Sequence, residues 1–250
     1  ETVNITELNA GNSSGGLELK GQIINIGRPL FYFYLKGTDF NLNNIKPLLP
    51  QGTFNDFYGR SDFIIDIAGE KDNFIARGFF ENSSITAKDH KIEDLRGSFE
   101  YIEDFLILHD LYGLWYGNPI VGRGTIYTKE AKTIELFLSS PQIKPESLSY
   151  FYPDLEAYKL HGNIIFDALI RGDISEPVTA INVEVPSITT KEYTLENFNF
   201  YGYLQGKNLC IKNLKGSIKG YPYEKNHLSF EGNMFLSKNS NGFLGSIAIT

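Results

Sequence analysis

Hydrophobic side chains recur at every second position along most of the chain. Phe31, Phe33 and Leu35 alternate with Tyr32 and Tyr34, and Phe63, Ile65 and Ile67 alternate with Ile64 and Asp66. Leu106 and Leu108 precede acidic Asp110; Ile134, Leu136 and Leu138 enclose Glu135 and Phe137; Ile164, Phe166 and Ala168 enclose Ile165 and Asp167. Successive side chains of an extended backbone point to opposite faces, so period two marks strands with one face withdrawn from water. Gly, Asn and Asp separate the runs, as turns require. The pattern predicts roughly fifteen or more short strands. Few intervals could hold a crossover helix, which predicts antiparallel hairpins.

Two stretches break the alternation. Residues 43–50 carry Ile45, Leu48 and Leu49 at helical spacing, and residues 145–153 carry Leu148, Phe151 and Tyr152. Pro145 suits a first helical turn, where its missing N–H costs little. Pro50 and Pro153 are expected to end the two segments, each one or two turns long.

These two segments expose a repeat. An offset of 103 carries Pro50 onto Pro153, and also Gly21 onto Gly124, Leu35 onto Leu138, Gly59 onto Gly162, Gly69 onto Gly172, Leu106 onto Leu209 and Pro119 onto Pro222. The densest match sets Ser84-Ile85-Thr86 against Ser187-Ile188-Thr189, with Lys88 and Lys191 beyond. No gap is needed from about residue 17 to residue 119; Gly124 then aligns with Gly232, an offset of 108, so the second copy carries about five extra residues. The chain reads as one elongated segment, 1–250, made of copies at about 17–119 and 120–227 and the start of a third at 228–250. Tandem strand-rich units bury their apolar faces against neighbours. Phe63, Ile65 and Ile67 map onto Phe166, Ala168 and Ile170, whereas Asp62 maps onto Ile165 and Ile64 onto Asp167. One face stays apolar and the other drifts, the behaviour of a half-buried sheet.

Composition narrows the class. Of 250 residues 42% are hydrophobic, too many for a disordered polymer. A net charge of −7 argues against a general nucleic-acid-binding surface. No run approaches the ~18 apolar residues of a membrane-spanning helix. The first residues carry no basic-then-apolar leader, so a mature or excised piece is expected. One cysteine, Cys210, excludes a disulfide framework; it alternates with Leu209 and Ile211 and is expected on the opposite face.

No catalytic or metal pattern stands out. His90, His109, His161 and His227 do not recur between copies and form no His-x-x-x-His pair. There is no Gly-x-Ser-x-Gly elbow and no phosphate-binding loop. Asp62, Asp66, Glu100, Glu103 and Asp104 single out no acid–base pair. Trp115 and Tyr116 fit either an interface anchor or a packed turn. The expectation is a non-catalytic protein without cofactor or metal.

The Gly-punctuated amphipathic strands resemble the TamB/AsmA-like family of bacterial envelope proteins. The resemblance lies in a recurring string: a strand, a short segment ending in proline, a glycine, then a strand. Here it runs Phe31–Leu35, Pro50, Gly59, Phe63–Ile67, Gly69, and again Ile134–Leu138, Pro153, Gly162, Ile164–Ile170, Gly172. Leu209-Cys210-Ile211-Lys212-Asn213-Leu214-Lys215-Gly216 continues the style. The resemblance implies an all-β fold: an elongated, curled antiparallel sheet, or β-taco, with an apolar groove and short helical inserts. It implies phospholipid transport between inner and outer membranes and a part in outer-membrane biogenesis. It also implies a periplasmic location, a parent protein anchored in the inner membrane of a diderm bacterium, and an outer-membrane barrel partner reached through regions not in this sequence. At about seven strands per copy and ~4.8 Å per strand, each repeat would supply roughly 30–35 Å of groove. The wall candidates for phospholipid acyl chains are Phe31, Phe33, Leu35, Phe63, Ile65, Ile67, Leu106, Leu108, Ile134, Leu136, Leu138, Phe166, Ile170, Leu209 and Ile211. The same side chains could instead pack against one another in a closed core. A cell-surface adhesin or carbohydrate-binding β-solenoid or sandwich is the competing class, with tyrosines available for sugar stacking. An outer-membrane barrel is disfavoured by the short strands and the proline-ended inserts.

Overall fold

The computed structural model describes residues 2–12, 15–44, 57–87, 90–129, 132–150, 153–206, 208–220, 227–239 and 242–249. The fold is all-β, an unclosed and curled antiparallel sheet. The strands are β1 (Thr2–Asn12), β2 (Gly15–Ile24), β3 (Leu30–Asn41), β4 (Phe57–Glu70), β5 (Asn73–Ala87), β6 (His90–Ile102), β7 (Phe105–Trp115), β8 (Asn118–Tyr127), β9 (Thr133–Ile143), β10 (His161–Asp173), β11 (Val178–Thr189), β12 (Tyr193–Gln205), β13 (Asn208–Gly220), β14 (His227–Asn239) and β15 (Gly242–Ile249). The chain divides into two compact units, Glu1–Ala131 and Lys132–Thr250. The first contains the meander β1–β8 and the second the meander β9–β15, each strand antiparallel to its chain neighbours within the unit.

The offset of 103 is visible in the backbone. It carries β2 onto β8 and β6 onto β12 end to end. Pairing follows: Leu35↔Ile65 recurs as Leu138↔Ala168, and Ile65↔Gly78 as Ala168↔Ile181. Two register shifts recur as well, Arg60/Asp62 at Asn163/Ile165 and Glu93/Arg96 at Glu196/Asn199. Six strands, β2 to β7, precede the return at β8, so a repeat holds six strands rather than about seven. The third copy is also placed differently. Leu111 pairs with Gly122, and its counterpart Leu214 pairs with Gly232, an offset of 110 rather than 108. Gly232 is thus the counterpart of Gly122, an equivalence set by cross-strand hydrogen bonding that glycine spacing alone does not reveal.

The repeated sequence elements turn out to be one contact. A β-carbon at Gly59 would collide with the Ser84 carbonyl oxygen and lie 3.1 Å from Ile85 Cα. At Gly162, whose φ is +148°, it would meet the Ser187 carbonyl and Ile188 Cα in the same way. The recurrent glycine is therefore the seat of the recurrent Ser-Ile-Thr.

Bulges bend the strands. Asp39 on β3, Asn82 on β5, Asp94 on β6 and Asp110 on β7 take left-handed φ values of 46–49°, each inside a register shift. Asn197 on β12, the counterpart of Asp94, does the same at 51°. Asn and Asp tolerate this conformation because their short polar side chains bond locally. An extra residue kinks its strand and raises its twist, so bulges on neighbouring strands curl the sheet. Side chains tie the line together. The Arg60 guanidinium holds Asp39 through Nε to Oδ1 at 2.5 Å and Nη2 to Oδ2 at 2.6 Å. Ser61 and Ser83 Oγ lie 2.7 Å apart, with Ser83 only 1% exposed. Asp62 accepts the Asp39 backbone N–H at 2.6 Å and the Asn82 Nδ2–H at 2.9 Å.

The expected insert over 43–50 is described only at its start, where residues 42–44 form a 3-10 turn; 45–50 lie outside the described residues. In the second copy Pro145 opens the 3-10 helix Pro145–Tyr150, as expected. Pro153 does not end the insert. It opens another 3-10 helix, Pro153–Tyr158, because proline's fixed φ and missing N–H fit a first turn as well as they fit a stop.

Two measurements check this account. Gly162→Ala should cost more than about 2 kcal/mol in urea unfolding, since it combines a positive φ with a backbone collision. Gly16→Ala, with nothing within 4 Å of the new carbon, should be nearly neutral. Asp62→Asn should cost on the order of 1 kcal/mol at pH 7. The Asp39 amide, then Asn82, hold the Asp62 carboxyl below its ordinary value of 3.8. The stabilisation is therefore complete well above that value and lost as pH falls through the lower folded one. The gap between wild type and variant should stay constant from about pH 7 to pH 5 and close only below about pH 3.8.

Candidate functional site: the apolar face

Cross-strand register decides which side chains share a face, because directly paired residues point the same way. In the first unit one row runs Ile5–Gly21–Phe33–Ile67–Ala76–Tyr101–Leu106–Ile126 across all eight strands. The next runs Leu8–Leu19–Leu35–Ile65–Gly78–Phe99–Leu108–Gly124. In the second unit Leu138, Ala168, Ile181, Gly202 and Ile211 form a row that the register continues to Met234 and Ile247. Each unit thus carries one predominantly apolar face, in which Ser140 opposite Phe166 and Thr179 opposite Ile170 are uncharged polar rungs.

All fifteen wall candidates lie on these faces. Phe31, Phe33, Leu35, Phe63, Ile65, Ile67, Leu106 and Leu108 share the first; Ile134, Leu136, Leu138, Phe166, Ile170, Leu209 and Ile211 share the second. Fourteen are half-buried, and Ile211 alone is buried, at 7% exposure. Among the described residues of each unit, the strands belong to one sheet and the substantial strand contacts are those between chain neighbours.

Rings supply much of that cover. Phe63 lies over Gly37 and Phe33 over Gly21, so a β-carbon at either glycine would strike the ring. One at Gly78 would lie 2.9 Å from Phe99 Cε1, and one at Gly97 would lie 2.7 Å from Leu111 Cδ2. Small residues where the sheet bends, with large neighbours leaning over them, let the face turn inward without collision. At one end the rings form a ladder. Phe33 stacks on Phe31 at 5.5 Å, Phe31 reaches Phe74 at 6.3 Å across Gly69, and Phe74 stacks on Tyr101 at 5.2 Å. Phe31 and Phe74 sit on strands separated by β4, and their rings meet over Gly69, which has no side chain to keep them apart.

Sequence reasoning missed part of this wall. Phe74, Ala76 and Phe80 on β5, Phe99 and Tyr101 on β6, and Ile181 and Val183 on β11 all belong to it. The signal was present as Phe74-x-Ala76-x-Gly78-x-Phe80, but glycine and alanine in apolar phase hide a period-two pattern.

The opposite face is different in kind. Cys210 lies there, paired with Tyr203 and half-buried. Over β1–β5 that face holds a cavity of about 610 Å³, its walls including Gln22, Tyr32, Tyr34, Asp66, Ala68 and Arg77. Tyr32 is 42% exposed. Trp115 ends β7 and Tyr116 begins the turn to β8, where Asn118, 1% exposed, donates from Nδ2 to the carbonyls of Trp115 and Tyr116 at 3.1 and 3.2 Å. No family model, curated protein or solved structure matches the chain.

The face assignment predicts an asymmetry in binding of an environment-sensitive apolar dye. Ile65→Glu should reduce dye fluorescence several-fold while far-UV circular dichroism is retained. Ile64→Glu, one residue along and on the other face, should leave the fluorescence close to wild type.

Proposed function

We propose that this chain is a non-catalytic conduit whose apolar face carries the acyl chains of phospholipid between the inner and outer membranes. The carrying observation is the fourteen half-buried wall residues, gathered on one face of a single curled sheet. An apolar face left in water is costly at about 25 cal/mol per Å². An acyl chain laid along it removes that area and gains about 0.8 kcal/mol per buried CH₂. The headgroup stays in solvent, so no bond needs to be made or broken. Repeats of constant chemistry give a lane along which a lipid gains little by stopping. The resemblance to TamB/AsmA-like proteins supports the reading, and with it a periplasmic location, a parent protein anchored in the inner membrane and a barrel partner in the outer membrane.

The cavity beside Tyr32 and Tyr34 favours a second reading. An exposed Tyr32 ring beside a half-buried Tyr34, flanked by amide, carboxylate and guanidinium groups, suits a saccharide, as in a surface adhesin or carbohydrate-binding protein.

The two readings separate by photo-crosslinking in cells. A photoreactive residue at Phe63, Phe166 or Leu209 should yield phospholipid adducts, and one at Asp66 or Asn208 should yield at least several-fold fewer. Adducts at the control positions alone would overturn the lipid reading. Saccharide capture abolished by Tyr32→Ala, without lipid adducts at the wall, would install the second.

A further inference from the structure

The hollow beside Tyr32 has a counterpart in the second copy, and the two differ in where a cation comes from. At the offset of 103, Tyr32 becomes Glu135 and Ala68 becomes Arg171. Both pairs are cross-strand partners in the same register, Tyr32↔Ala68 and Glu135↔Arg171. In the second copy Arg171 Nε lies 3.3 Å from Glu135 Oε2, so the chain itself supplies a cation at this place. In the first copy the place is open: Ala68 is short, and it lines the cavity of about 610 Å³.

An acid stands at that cavity without a partner. Asp66 lies on the same face of β4 as Ala68, and it pairs across the strands with Tyr34 and Arg77. Lys20 and Arg77, the cations of the cavity wall, are engaged elsewhere. Lys20 Nζ is held by Glu18 and lies 3.8 Å from Glu7 Oε2. Arg77 reaches Glu100 Oε1 from Nε at 2.8 Å and from Nη2 at 2.6 Å. Among the described residues no hydrogen bond or ion pair reaches the Asp66 carboxylate. Lys36, one row further, lines a separate hollow with Glu18. Even with Lys36 counted, Lys20, Lys36 and Arg77 are outnumbered by Glu7, Glu18, Asp66 and Glu100. The centre of the site sits on β3 and β4, each with a paired strand on both sides.

We propose that this cavity binds an amino sugar in its protonated form. The ammonium plays the part against Asp66 that the Arg171 guanidinium plays against Glu135. A carboxylate accepts charge-assisted hydrogen bonds from it, and the negative face of a tyrosine ring adds a cation–π attraction. The sugar ring lies on Tyr32, which is 42% exposed, and the Gln22 amide is at hand for a hydroxyl. The volume falls within the roughly 300–1,000 Å³ of small-molecule sites. The inference rests on the saccharide reading of this cavity, sharpens it to a charged sugar, and holds whatever the apolar face carries.

Ligand-detected NMR on the full chain tests it at about pH 6, where an ordinary amine is protonated. Glucosamine should bind at least several-fold more tightly than glucose, which lacks the charge, and than butylammonium, which lacks the ring. The preference over glucose should shrink with added salt. Asp66→Asn should leave glucosamine no better than glucose. Ala68→Arg puts the second copy's cation into the hollow and should abolish glucosamine binding, with far-UV circular dichroism unchanged. Glucose bound as tightly as glucosamine by the wild type would overturn the inference and leave the saccharide reading standing. Neither sugar bound would overturn it together with that reading. Butylammonium bound as tightly as glucosamine, or a preference for glucosamine that survives Asp66→Asn, would overturn it as well.

Discussion

A sheet can curl inward only where its inner face gives way, and here glycine provides the room. Gly21, Gly37, Gly78 and Gly97 face the same side as Phe33, Phe63, Phe99 and Leu111, and each is covered by one of those large neighbours. A methyl group at any of them would meet a ring or a leucine. The rings gain contacts over the gap, and the backbone gains freedom to bend. Bulges held in the left-handed region by Asp39, Asn82, Asp94 and Asp110 supply the rest of the curvature. Both devices are local, so the bend does not depend on a second layer.

The alternation made the strands and the apolar face legible, because period two is a property of one chain segment at a time. The repeat was legible for the same reason, and it linked Gly59 with Gly162 and Ser84 with Ser187 before their contact was known. What stayed hidden depends on pairing. Asp39 and Asn197 look like ordinary turn residues until a partner strand shows an extra residue opposite nothing. The placement of Gly232 two positions away from the expected alignment follows from hydrogen bonding to Leu214. Phe74 and Phe80 were overlooked because Ala76 and Gly78 between them lack the bulk that marks a core position. Pro153 was ambiguous in principle, since one ring chemistry serves both to stop a helix and to start one.

The two faces divide the work of the sequence. Asp62 is a hydrogen-bonding hub in the first copy, and Ile165 stands in its place in the second. Ile65 and Ala168, on the other side, keep their apolar character and their cross-strand partners in phase. Variation is tolerated on the outer side because water accepts either kind of side chain there. On the apolar side a single charged group would interrupt every row it crosses, and the changes there stay uncharged: Ser140 stands for Gly37 and Thr179 for Ala76.

Among the described residues of each unit, every strand is hydrogen-bonded only to its chain neighbours. Chain closure for each new pairing therefore spans a single hairpin, and its entropic cost does not grow as strands accumulate. Such a meander can zip up progressively from whichever end emerges first, with no early segment held waiting for a distant one. A polypeptide that must pass through a narrow channel as an unfolded thread could then regain its architecture hairpin by hairpin while the remainder is still in transit.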